Sequence, residues 1–235
     1  MKRHFLTLLA TVFISSTTIC CDVKDDVDDE TSPSGNNSTT NTELTIADAA
    51  KNFSQDQIDM ANTAKNAAYL SDEEKLTILY CNLVRLDGSA FSAAFLSDLK
   101  TSDNSYEKSL IDTLESIKNL PMLVPNEQLC KAAESHAYDI GPKGERGHNS
   151  TDGTSFADRV RSFYSGGAIA ENISYGYDDA LKIVRQLLID KDVASLGHRK
   201  NILGDKYCRI GVAIRYHKTY NNCCVQDFSD SMGDK

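Results

Sequence analysis

The chain has 235 residues, of which 40% are hydrophobic and 25% are charged, and its formal net charge at pH 7 is −9. These values are typical of a soluble globular protein with one ordinary domain and some additional sequence. Basic residues form no cluster, so the composition argues against nucleic acid as a partner.

The first 20 residues have the pattern of an export signal. Two basic residues precede an apolar run from Phe5 to Ile14, which is too short to span a bilayer. Cys20 and Cys21 follow this run. The pattern predicts a cleaved signal peptide over residues 1–20, and it leaves open a plain secreted protein or a lipid-anchored one.

A cysteine in this position resembles the lipidated cysteine of bacterial lipoproteins, with Cys21 as the expected site and Cys20 as the alternative. The stretch Lys24-Asp25-Asp26 resembles the surface-export signal of Bacteroidetes lipoproteins. The resemblance implies an outer-membrane or cell-surface lipoprotein of a Gram-negative, Bacteroidetes-like bacterium. Its partner would then be the membrane itself, through a lipid anchor.

Residues 21–52 are predicted to be a tether. Residues 22–30 contain six acids and one lysine, and residues 31–43 are rich in Ser, Thr and Asn without apolar periodicity. Such a composition cannot bury a core.

Five cysteines remain in the rest of the chain. An exported protein can form disulfides, but an odd number leaves at least one thiol unpaired. The spacing does not define how they pair: they are Cys81, Cys130, Cys208, Cys223 and Cys224.

Order is predicted to begin with an extra helical segment over residues 53–75. Ser54 is followed three residues later by Gln57, and Ser71 by Glu74, and both pairs have the spacing of a capping box. The second box opens a predicted helix that ends at Asp87-Gly88 and whose apolar face is Leu76, Leu79, Tyr80, Leu83 and Leu86.

Further elements follow towards the C-terminus. Helical spacing places His136 on the apolar face of a helix, and Asp179 begins another helix with five apolar residues on one face. The runs 209–217 and 223–228 predict a hairpin with a turn of four to six residues. Helices followed by strands around further helices indicate an α+β or layered αβα domain.

Three polar stretches interrupt this scaffold. They are residues 147–153 with His148, residues 170–176 with Glu171 in a run typical of a strand, and residues 195–203 with His198. Two imidazoles and a carboxylate suit a divalent transition metal. The same three groups also suit an acid/base site in which Glu171 fixes the tautomer of one histidine.

The motifs, in their order along the chain, resemble the CAP superfamily, also called the SCP domain. The sequence reads GH, DG, DR, AENISYG, GHRKNIL, IGVAIRYH and VQDF. The resemblance covers residues 76–230, with an insertion of some 35 residues after the first helix. It implies an αβα sandwich with a three- or four-stranded antiparallel sheet.

The resemblance also implies a surface cleft formed by His148, Glu171 and His198, with Asn172 beside them. Many members have a second glutamate shortly after the first histidine, and here Asp152 takes that place with a shorter side chain. The tryptophan that many relatives have before the second histidine is absent.

Two functional classes follow from the resemblance. The first is a binding module whose cleft takes a small ligand, a lipid or a partner protein, with Zn²⁺ or another divalent cation held by His148 and His198. The alternative is a metal-dependent hydrolase or peptidase in which Glu171 is the general base and both histidines are catalytic. A purely structural adhesin is a third class, in which neither histidine would matter.

Overall fold

The computed structural model describes Ala49 and residues 51–231 of the chain. The predicted signal peptide, the lipidation site at Cys21 or Cys20 and most of the tether lie outside this part. The helices are α1 (Gln55–Ala61), α2 (Asp72–Leu86), α3 (Gly88–Phe95), α4 (Ser105–Leu114), α5 (Glu127–Ile140), α6 (Phe156–Phe163), α7 (Ala180–Ile189) and α8 (Gly197–Leu203), with a 3-10 helix at Ser97–Thr101. The strands are β1 (Val124–Pro125), β2 (Ile169–Tyr175), β3 (Arg209–His217) and β4 (Asn221–Ser229).

The four strands form one sheet in the order β1-β3-β4-β2. Strand β4 is antiparallel to both β3 and β2, but β1 runs parallel to β3, so the sheet is mixed. The purely antiparallel sheet that the resemblance implied is therefore wrong in this one strand. β1 has two residues, and the N–H groups of Val124 and Asn126 donate to the carbonyls of Cys208 and Ile210 on the β3 side. Pro125 lies between these two donors, where the ladder needs no N–H. Such a short strand has no alternating pattern, which is why the sequence did not reveal it.

The sheet lies between two helical layers, which confirms the αβα sandwich. α5 covers one face, where Ala133 and Ala137 pack against Ile173 and Val225. α2, α7 and α8 lie on the other face and share the larger apolar core. Alternate residues of each strand enter the two cores, as the twofold side-chain period of a strand requires.

Both predicted capping boxes are confirmed. The Ser54 and Ser71 side chains accept from the backbone N–H of Gln57 and Glu74, whose side chains accept from the serine N–H groups in return. The second box begins α2, whose predicted apolar face is buried along its whole length.

The hairpin between β3 and β4 is tighter than predicted. Three residues, 218–220, connect the strands instead of four to six. The His217 ring explains the difference, because its Nδ1 accepts from the backbone N–H of Thr219 and of Tyr220, at 3.2 and 3.3 Å. Asn221 then enters β4 with a φ of 66°, a conformation that asparagine tolerates.

The five cysteines of the described part are all buried free thiols. Burial raises the pKa of Cys81 and of Cys130 to about 12, so neither is a thiolate at neutral pH. These side chains therefore fill the core. Among the helices that the structure describes, none is both long and apolar enough to cross a membrane.

Candidate functional site

The centre of the site is an imidazole held by a buried carboxylate. His148 Nδ1 lies 2.8 Å from Glu171 Oε1, and the Arg159 guanidinium donates to Glu171 Oε2. Arg159 Nη1 also donates to the backbone carbonyl of His148, at 2.7 Å. The His148 side chain is 25% exposed and that of Glu171 only 1%. A part-exposed imidazole thus rests on a fully buried ion pair.

Three elements bring these residues together. Glu171 is on β2, Arg159 is in α6, which begins after the N-cap Ser155, and His148 is on the loop between α5 and α6. Gly147 precedes the histidine with a φ of 108°, a left-handed conformation that glycine adopts without strain. Glycine at this position therefore turns the loop towards β2.

The loop that carries His148 is fastened on both sides of Gly147. The Gly147 carbonyl accepts from His136 Nε2 at 2.8 Å, and its N–H donates to the Tyr175 hydroxyl at 3.1 Å. His217 Nε2 donates to the carbonyl of Glu145, at 2.8 Å. His136 is fully buried in α5, as its helical spacing predicted. Two other histidines thus fix the position of the His148 backbone.

The charges of the site favour an ionised Glu171. Burial acts most strongly and raises the pKa of this carboxyl group, but the hydrogen bond from His148 and the positive charge of Arg159 outweigh it, so the pKa is lowered. Burial lowers the pKa of His136, so that ring is neutral above its ordinary pKa. A carboxylate offers no proton, so the proton between His148 and Glu171 is on Nδ1 of the ring.

His198 has a carboxylate partner of its own. Its Nδ1 lies 2.7 Å from Asp190 Oδ1, and the other oxygen of Asp190 accepts from the backbone N–H of Arg199 at 3.1 Å. Asp190 is 2% exposed. Glu171 was expected to fix the tautomer of one histidine, and it contacts His148, whereas Asp190 takes this place for His198.

Two asparagines connect the His198 segment to β2. Asn172 Nδ2 donates to the backbone carbonyl of His198 at 3.2 Å. Asn201 Nδ2 donates to the Glu171 carbonyl at 3.3 Å and to Asn172 Oδ1 at 2.9 Å. Asn201 is buried and joins α8 to β2. Glu171 and Asn172 are successive strand residues, so their side chains point to opposite faces of the sheet.

The structure places Asp152 away from this group. Its carboxylate is fully exposed, and Oδ1 accepts from the backbone N–H of Thr154 at 2.8 Å, which lowers the pKa of the carboxyl group. This is the hydrogen bond of an Asx turn. The described contacts of Asp152 therefore belong to the loop and not to His148 or Glu171.

The donor set for a metal is incomplete within the described residues. Among them, no group of three or more His, Cys, Asp or Glu side chains is arranged to hold a metal ion. Both histidines nevertheless have the outer partner that zinc-binding histidines usually have, a carboxylate on Nδ1, which leaves Nε2 as the ligand atom. Each ring would therefore offer its Nε2 to a metal, in a donor set of fewer than three such side chains within the described residues.

The sequence motifs did not predict three residues of the site, Arg159, Asp190 and Asp227. Arg159 is part of the DR motif, but its ion pair with Glu171 spans 12 residues and two elements. Asp227 was not among the predicted site residues, and the available signal was an acid within the predicted strand over residues 223–228. The Arg199 guanidinium, next to His198, donates to Ser109 Oγ and to the carbonyls of Tyr106, Leu188 and Ile189.

The sequence profile of the cysteine-rich secretory protein (CAP) family matches residues 80–228. The match covers more than half of the chain and contains His148, Glu171 and His198. The chain therefore belongs to the CAP family.

Solved structures give weaker likenesses. An extracellular protein with an SCP domain from Bacillus anthracis is 25% identical, with a TM-score of 0.40, over 53% of this chain and 38% of its own. Venom allergen-like protein 4 of Schistosoma mansoni is 14% identical, with a TM-score of 0.45, over 68% of this chain and 89% of its own. An outer surface protein of Borrelia burgdorferi is 18% identical, with a TM-score of 0.41, over 52% of this chain and 86% of its own. No curated protein matches the chain.

Proposed function

We propose that this chain is an exported, lipid-anchored CAP domain that binds a small ligand, a lipid or a partner protein in a cleft centred on His148. The observation that carries the proposal is the buried Glu171, whose side chain is 1% exposed. Burying an ionised carboxylate costs several kcal/mol, on the order of the desolvation of one ion, unless it is paired. Here both oxygens are engaged, and one of them orients an imidazole at the surface.

The ring orientation defines what the cleft can recognise. Nδ1 carries the proton that Glu171 accepts, so a neutral His148 presents the lone pair of Nε2. That lone pair accepts a hydrogen bond from a ligand N–H or O–H, or coordinates a divalent cation. Zn²⁺ alone is therefore a direct probe of the site.

Zinc is expected to bind the full chain with a dissociation constant of about micromolar. His148→Ala is expected to abolish this binding because it removes the Nε2 ligand. Calorimetric titration of the purified chain measures it, with Asp152→Asn as the control that keeps the Asx turn and the binding. Zinc binding that survives unchanged in His148→Ala contradicts the proposal.

His198→Ala separates two arrangements of the cleft. Loss of zinc in this variant as well would place both imidazoles on one ion, as the family resemblance implies. Retention would leave His148 as the histidine ligand, with His198 serving the cleft through Asp190.

A metal-dependent hydrolase or peptidase is the second candidate, favoured by the two carboxylate–histidine pairs. A zinc ion would supply an activated water at neutral pH when bound. Glu171 does not suit the role of general base in this geometry, because both of its oxygens are occupied and its side chain is buried. Binding is therefore preferred, and a screen of peptide and ester substrates with zinc present tests the alternative.

The lipid anchor is proposed at Cys21. Cys21→Ser is expected to abolish the incorporation of a labelled fatty acid into the chain, whereas Cys20→Ser is expected to retain it. Metabolic labelling in a Gram-negative host measures both variants. Equal labelling of wild type and Cys21→Ser would contradict this site, and labelling lost only in Cys20→Ser would assign the anchor to the neighbouring residue.

A further inference from the structure

A second carboxyl group lies beneath the His148 site. Asp227 on β4 is opposite Glu171 on β2 and opposite Gly211 on β3. Residues paired in this way share a face of the sheet. The backbone of α5 packs directly on Gly211, so this face is the one that α5 covers. Asp227 and Glu171 are therefore neighbours under α5.

Asp227 has no hydrogen-bond donor within the described part of the chain. Its exposure is 0%, and no N–H or O–H group of the described residues reaches either carboxylate oxygen. The strand pairing places the Glu171 carboxylate on the same face, directly across from Asp227. Two carboxylates offer no donor to each other, so a hydrogen bond between them requires a proton on one of them.

The groups around Asp227 determine where that proton resides. β2 contributes Glu171, α6 contributes Arg159 and the loop contributes His148. α5 contributes the Cys130 thiol, whose pKa burial raises to about 12. Arg159 and His148 both donate to Glu171, which favours the negative charge there. Burial acts first, and the charge of Glu171 second, to raise the pKa of Asp227 well above its usual range.

We propose that Asp227 is a positioning residue of the His148 site, a neutral carboxylic acid that donates its proton to Glu171. The acid pair then carries a single negative charge, which the single charge of Arg159 offsets. The Nδ1–H of His148 then keeps a singly charged acceptor, which holds the ring with Nε2 on the side away from Glu171. A second negative charge on Asp227 would repel that of Glu171 and disturb the acceptor that orients the ring. This inference rests on the proposed function and identifies the ligand class as cations and hydrogen-bond donors.

Infrared spectroscopy tests the protonation state directly. The full chain at pH 7 is expected to show the C=O stretch of a buried protonated carboxylic acid, and Asp227→Asn is expected to lose that band. Glu134→Gln, a change at a half-exposed acid that pairs with Arg215, is the control and is expected to keep it. A wild-type spectrum with no band that depends on Asp227 overturns the proposal.

The pH dependence of stability gives a second readout. The folded chain holds a proton on Asp227 that the unfolded chain releases above the ordinary Asp pKa of about 4. The stability that this proton confers is therefore lost as pH rises. The equilibrium constant of unfolding is expected to increase by up to about tenfold for each pH unit. Asp227→Asn keeps a donor to Glu171 without titrating, so its urea unfolding is expected to lack this component between pH 5 and 8. Identical pH slopes in both proteins contradict a protonated Asp227.

The positioning role is tested through zinc. Asp227→Leu removes the donor to Glu171, and its zinc affinity is expected to fall about tenfold, with rescue by Asp227→Asn because the amide donates in place of the acid. Equal affinities in wild type and Asp227→Leu overturn the positioning role. A wild-type chain with the infrared band but without zinc binding would contradict the proposed function and leave the protonated Asp227 established, so the two failures are distinguishable.

Discussion

Glu171→Ala is expected to destabilise the fold by about 4 kcal/mol and to abolish zinc binding at His148. The loss of stability arises because Arg159, whose side chain is 4% exposed, keeps its charge while its carboxylate partner is gone. Asp227 is the nearest acid that could ionise in compensation, but it would have to give up its proton without a donor of its own. Urea unfolding followed by circular dichroism measures the change, and Glu134→Gln is the matched control.

The control variant changes an exposed ion pair, Glu134–Arg215, whereas Glu171→Ala changes a buried one, Glu171–Arg159. The two variants therefore compare the value of a buried and of an exposed ion pair. Glu134 contacts Arg215 at 2.5 Å, but the glutamate side chain is 41% exposed. Exposed ion pairs contribute about 1 kcal/mol or less, so Glu134→Gln is expected to cost about that amount. A cost for Glu171→Ala no larger than that of the control would contradict the buried ion pair.

The Glu171 carboxyl group makes the stability of the chain sensitive to acid. The pKa of Glu171 is lowered in the folded chain, so the contribution of this group is fully present above the ordinary Glu pKa of about 4.3. That contribution is lost as pH falls through the lowered, folded-state pKa, because protonation removes the charge that Arg159 and His148 bind.

Arg85→Met is expected to destabilise the chain by about 4 kcal/mol, at about 1 kcal/mol for each backbone carbonyl left unsatisfied. Arg85 is fully buried in α2, and burial lowers the pKa of its guanidinium to about 10. Its guanidinium donates at 2.6 to 2.8 Å to four carbonyls that lie far along the chain, those of Pro121, Ile202, Gly204 and Tyr207.

This arginine joins α2 to Pro121, before β1, and to the C-terminal end of α8 with the loop that follows it. The four carbonyls have no helix or strand partner to replace the guanidinium, and methionine keeps the volume of the side chain without its donors. Lys75→Met is the control, because the partly exposed Lys75 side chain on the same helix pairs at 3.8 Å with an exposed acid, Asp72. It is expected to cost less than about 1 kcal/mol. Urea unfolding of both variants tests the difference, and equal midpoints would rule out the role given to Arg85.

The sequence predicted those parts of the fold that local patterns define. The capping boxes at Ser54 and Ser71 and the N-cap at Asp179 mark where helices begin, because each cap satisfies backbone N–H groups within three residues. The strand with Glu171 and the hairpin of β3 and β4 also followed from local alternation. These signals need no knowledge of distant residues.

The site was predictable only in part, because its contacts join residues that are far apart in the sequence. Motif order identified His148, Glu171 and His198, but not the residue that each one contacts. The partners Arg159 and Asp190 come from elements that the motifs do not relate to one another. Asp152 follows His148 as an acid does in many relatives, yet its short side chain is engaged in an Asx turn.

The orientation of the His148 ring decides what the cleft can bind, and ¹⁵N NMR of the histidine-labelled full chain measures it directly, with His148→Ala to assign the signals. We expect the proton of the neutral ring on Nδ1, held by Glu171, and a zinc-dependent change at Nε2. A proton on Nε2, or a His148 spectrum that zinc leaves unchanged, would contradict the cleft proposed here.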